Sequence, residues 1–157
     1  GGTYKCAKNP LVTNSKLTWL SLDCVTAATD AVKAEKSAIT TAANFKAQLP
    51  VIELGITTET ANKAEIQVKL DAATLRLTAA QAKLAAAKTD ADKRLLTTAV
   101  SSWTSATRAY ASKIRNIDLT IKKLEAAKLA ATNKPAELAS NVTNARDSAK
   151  LICTKGF

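Results

Sequence analysis

Apolar residues recur along this chain at alternating spacings of three and four, and the run through its middle is the most regular. Ile66, Leu70, Ala73, Leu77, Ala80, Leu84 and Ala87 fall on one helical line, with leucine and alanine taking turns. Such a line is the seam of a coiled-coil-like pair, and its alanines let two backbones approach closely. A second line, Leu17, Leu20, Cys24, Ala27, Ala31, Ala34, Ala38, Phe45 and Leu49, predicts a helix over about 15–49, with Asn14 or Ser15 as its cap. Pro50 is expected to end it, because proline cannot continue the hydrogen-bond ladder.

Val51, Ile52, Leu54 and Ile56 then form an apolar connection between helices. It is expected either to fold over the end of the bundle as a plug or, if exposed, to bind a partner. A helix capped by Thr57 or Thr58 runs over about 58–88. After Ala87 the strong apolar positions restart at Leu96, Ala99, Trp103, Ala106 and Tyr110, two residues out of phase. Two residues are about 200° of helix, so a straight helix would turn its core to water. The chain must therefore turn near 88–91, where Thr89, Asp90 and Asp92 supply capping oxygens. The next helix spans about 90–132, with a stutter between Tyr110 and Ile114 that makes Asn116 a candidate break. Pro135 suits the first position of a last helix over about 135–154.

The expected fold is all-α: an elongated antiparallel bundle of about four helices with alanine-rich seams, preceded by an extended lead-in over 1–14. Composition agrees. Alanine makes up about a fifth of the 157 residues, while glycine, proline and aromatics are scarce. The helical part, 15–157, is long enough for one domain with its own core.

The three cysteines, Cys6, Cys24 and Cys153, are the disulfide candidates. A bridge implies an oxidising compartment, so an extracytoplasmic location (periplasm, cell surface or secreted) is expected. Four consecutive helices of about 52, 46, 64 and 30 Å would leave Cys153 about 30 Å from Cys24 along the bundle. A bridge from Cys6 in the lead-in, to either of the other two, is expected instead.

The chain lacks histidine, the usual general base and zinc ligand. Carboxylates are scattered, Ser15-Lys16 and Ser112-Lys113 are adjacent rather than facing, and no glycine-rich phosphate loop occurs. No catalytic, cofactor or metal residues are assigned, and an enzyme is not expected. Asn141-Val142-Thr143 matches a glycosylation sequon, but Val142 lies on an apolar helical line.

The net charge of +10 comes from lysines spread along the helices. It keeps an alanine-rich surface soluble and permits attraction to acidic polymers; without an arginine cluster or a stacking platform it does not point to nucleic acid. No apolar run reaches the length of a membrane span, so a membrane link would need a segment before residue 1. Trp103 falls on a seam line, whereas Trp19 is expected either to cover the bundle end or to stand exposed as an anchor. The leading expectation is a structural or assembly protein, the soluble domain of a bacterial envelope or appendage (pilus or secretion) component, with self-association or a protein partner. The second is a surface adhesin or receptor-like module gripping an acidic glycan or host protein through a lysine-rich face. Val51, Ile52, Leu54, Ile56 and Trp19 are the candidate partner-binding residues.

Overall fold

The computed structural model describes residues 2–155 and is all-α but for one β-hairpin. Strand β1 (Tyr4–Ala7) pairs antiparallel with β2 (Thr18–Ser21), setting Cys6 opposite Trp19. Helix α1 (Leu22–Ala86) and helix α2 (Asp90–Lys155) follow, packed antiparallel. About four helices were expected; two long ones are found.

The turn between α1 and α2 falls where the phase shift demands it. Residues 87–89 leave helix, and the Asp92 N–H donates to Thr89 Oγ1 at 3.2 Å, which caps α2. So short a connection forces neighbouring helices to run antiparallel. The other expected breaks are absent. Residues 51–56 continue α1 rather than plugging an end, and Thr57 lies mid-helix, its hydroxyl donating to the Glu53 carbonyl at 3.0 Å. Asn116 and Pro135 lie inside α2. A proline inside a helix removes one hydrogen bond, a penalty of about 3 kcal/mol. Pro50 and Lys46 are both exposed, so water can meet a carbonyl that loses its helical partner there. Seam packing along many turns outweighs one such local loss.

The N-terminal segment is a hairpin rather than a lead-in, and the first helix begins at residue 22 instead of 15. Its cap is Ser21, whose Oγ accepts from the Cys24 N–H at 3.1 Å. In the hairpin loop, Asn9 Oδ1 accepts from the Leu11 N–H, and Asn14 takes a left-handed conformation (φ 57°) that asparagine tolerates.

The chain divides into two compact units, one formed by residues up to Pro50 with those from Lys128 onward, the other by Val51–Ala127. In the first unit Leu20, Cys24 and Cys153 form a buried cluster, with Ala7 and Val25 against it. Ala28, Ala31, Ala131 and Ala149 are also buried. There Cys24 is bonded to Cys153, with Cα atoms 4.6 Å apart. The expected Cys6 bridge is thus replaced. With two helices of nearly equal length, the end of α2 returns to the start of α1, and the axial offset expected from four helices vanishes. Glu35 and Arg146 form a longer ion pair in the same unit, 3.8 Å apart.

In the second unit the sealed positions are again alanines, Ala73 and Ala80, while Ile66, Leu70, Leu77 and Leu84 are half-buried. Lys63 meets Asp118 at 2.7 Å, and Arg76 stacks on Trp103 with its guanidinium 5.0 Å from the ring centre. A Cβ on Gly55 would come within 3.3 Å of a Leu124 methyl, so glycine gives that leucine room.

Two expectations follow for stability. Ala73→Leu or Ala80→Leu should force the helices apart and destabilise by about 1–3 kcal/mol in circular dichroism melts. Replacing Cys24 and Cys153 by serine opens a loop of sequence separation 129, and denaturant titration should show a loss of up to about 5 kcal/mol.

Candidate functional site

With alanine in the seam, many of the large apolar side chains stand exposed. Two exposed groups of them are ordered enough to act as sites, one in each unit.

The first is the outer face of the β-hairpin. Side chains alternate along a strand, so Leu20 points to the core while Leu17 and Trp19 point away. Trp19 is 67 % exposed, Leu17 and Tyr4 are exposed, and Cys6, paired across from Trp19, carries a free exposed thiol. The sequence-predicted Trp19 therefore stands at the surface beside Cys6. The two cysteines of the bridge lie under the opposite face of the same hairpin, against Leu20. This arrangement offers an aromatic ring and a thiol able to form a mixed disulfide.

The second group lies on α1 in the unit Val51–Ala127. Of the residues predicted as a partner-binding tip, Ile52 and Ile56 are half-buried on the seam side. Val51 and Leu54 face outward, and structure joins to them two residues that sequence reasoning missed, Val68 and Leu75. All four are 67–73 % exposed. Thr58, Ala61, Glu65, Ala72, Ala79 and Ala82 complete the line and are exposed as well. The ten positions alternate in steps of three and four, as the seam does. Val68 stands about 200° round the helix from Ile66, so the stripe is on the face opposite the seam. The signal was present in the chain, but Thr58 and Glu65 interrupt it and the stronger seam periodicity overlies it.

Charged groups border this stripe. Glu65 Oε1 accepts from Lys69 Nζ at 3.0 Å, and that hydrogen bond with its attached charge raises the Lys69 pKa above the ordinary lysine value. Gln67 donates to Asp71 at 2.9 Å. Lys69, Arg76 and Lys83 follow one another every seven residues along one border.

Two shallow clefts flank the seam. One of about 330 Å³ in the second unit is lined by Glu59, Asn62, Glu65, Ile66, Lys113 and Ile117. One of about 220 Å³ in the first unit is mostly apolar, lined by Ala38, Ile39, Ala42, Pro135, Leu138 and Val142, with Glu35 at its edge. Among the described residues no cluster of three or more Cys, Asp or Glu could hold a metal ion. No helix among them is long and apolar enough to cross a membrane.

The fold and its surfaces define a class, a disulfide-clasped helical hairpin that presents apolar side chains outward. No protein-family model, curated protein or solved structure matches the chain.

The exposure of Cys6 predicts that a maleimide modifies one thiol per folded chain without reductant, and that Cys6→Ser abolishes the reaction. Labelling at more than one thiol in that state would contradict the Cys24–Cys153 bond.

Proposed function

We propose that this chain is a non-enzymatic structural or assembly protein that acts outside the cytoplasm, as the soluble domain of a bacterial envelope or appendage component. One observation carries the reading. Large apolar side chains, among them Trp19, Val51, Leu54, Val68 and Leu75, are exposed in ordered groups while alanines fill the interior. Large apolar side chains grouped on the surface of a folded chain are candidates for contact with a partner. Enclosing a substrate calls for a deep pocket with convergent polar groups, and the clefts here are shallow.

The cysteines support the compartment. The Cys24–Cys153 disulfide is consistent with an oxidising extracytoplasmic environment. Cytosolic reductants would open it, removing the cross-link between the far end of α2 and the start of α1. A surface adhesin or receptor-like module using a lysine-rich face is the alternative, and the cationic excess is shared by both units. Binding to an acidic glycan or host protein would instead show as retention on immobilised heparin that falls steeply with salt.

Fractionation of the source cells with alkylation trapping tests the proposal. The protein should appear outside the cytoplasm with Cys24 and Cys153 oxidised, and lysine cross-linking of intact cells should recover it in complexes larger than one chain. A cytoplasmic protein with three reduced thiols, or one never recovered in a complex, would overturn it.

A further inference from the structure

We propose that the β-hairpin is a lid on the Cys24–Cys153 bond, and that a thiol reaches the bond only while the hairpin is lifted. The proposal stands on the fold of the first unit and does not depend on the assembly reading.

The bond lies where the two helices alone would leave it open. Cys24 is the third residue of α1 and Cys153 the third from the end of α2, so less than a turn of either helix extends past it. Yet Cys24 is 1 % exposed and Cys153 5 %. The cover comes from the hairpin. Leu20 in β2 completes the buried group, and Ala7 in β1 packs against it. Exchange needs a thiolate in contact with one of the two sulfurs, so burial under these residues blocks it.

The same hairpin keeps the chain's own free thiol away. Cys6 pairs with Trp19, and Leu20 follows Trp19 on the strand. Strand alternation therefore turns Cys6 to the outer face while Leu20 faces the bond.

This cover is held weakly. Its two strands have four residues each, and a two-stranded hairpin by itself is marginally stable in water. Leu20 is the one fully buried side chain in the two strands. Beside the ladder, the Leu22 N–H donates to the Thr3 carbonyl at 2.9 Å. Lifting the hairpin withdraws one large side chain, whereas parting α1 from α2 breaks a seam of many turns. The lid should thus open in local fluctuations far more often than the unit unfolds. Whatever holds or lifts the hairpin then sets the lifetime of the clasp in a reducing medium.

In the lifted state a dithiol such as dithiothreitol attacks the Sγ of either cysteine as its thiolate. The S–S bond breaks, and the other cysteine leaves as a thiolate that takes a proton from water. The second sulfur of the dithiol then displaces the protein thiol. Two electrons have passed to the protein, both cysteines are thiols, and the dithiol has closed to a cyclic disulfide.

Reduction of the full chain by dithiothreitol, read by quenched alkylation and mass spectrometry, tests the proposal. A Cys6→Ser background removes the thiol that could itself attack the bond. Without denaturant, reduction should be on the order of 100-fold slower than in the urea-unfolded chain. Leu20→Ala removes the inward anchor and should speed native reduction ~10-fold or more, with Leu20→Val between the two. Trp19→Thr alters only the outer face and should stay within ~3-fold. Ala73→Leu loosens the second unit and should leave the rate unchanged, because the lid opens without it. Helicity in circular dichroism shows that α1 and α2 persist in each variant.

A native bond reduced as fast as in the unfolded chain would overturn the proposal, since the bond would then be open to solvent. So would a rate indifferent to Leu20→Ala. A rate that Ala73→Leu raises as much as Leu20→Ala would overturn it too, by showing that reductant enters through global unfolding.

Discussion

Alanine at the sealed positions between the helices is the constraint from which the other features follow. A methyl group buries little apolar area, so each seam residue contributes little on its own. In return it lets backbones approach and spreads the contact over many turns. Ala28 and Ala31 in one unit, and Ala73 and Ala80 in the other, occupy these sealed positions. The leucines beside them are only half covered, and other large side chains are left on the surface.

Such a seam leaves little to hold the chain ends, and the first unit answers with a different interaction. The hairpin lays Leu20 over the Cys24–Cys153 bond, making a small dense core where the helices begin and end. The disulfide cross-links residues far apart in sequence, which restricts the unfolded chain more than a short bridge would. Chain connectivity and oxidation therefore supply in the first unit what side-chain volume does not. The bond is consistent with an oxidising compartment, in agreement with the proposed location.

The same constraint bears on function. A helix with apolar lines on opposite faces has one face satisfied by its own chain and one still available. On α1 the available line keeps the three–four spacing of the seam, with Thr58 and Glu65 interrupting its apolar residues. The exposed face of the hairpin differs in kind. It is a short patch of Trp19, Tyr4, Leu17 and the Cys6 thiol, suited to a local contact rather than a long helical one.

Much of the secondary structure was written in the chain. The three–four spacing, the scarcity of glycine and the two-residue phase shift after Ala87 required helices and a reversal near 88–91, because those signals are local. The sequence by itself also set the all-α class and the alanine seam. It misled at Pro50, Pro135 and Asn116, since a local penalty of a few kcal/mol is outweighed once a long partner helix lies alongside. Only the tertiary structure decided that two helices, not four, carry the fold. Their nearly equal lengths bring Cys153 back to Cys24 and leave Cys6 free. It also separated Val51 and Leu54 from Ile52 and Ile56, because whether an apolar residue is inside or outside depends on which face its partner helix covers.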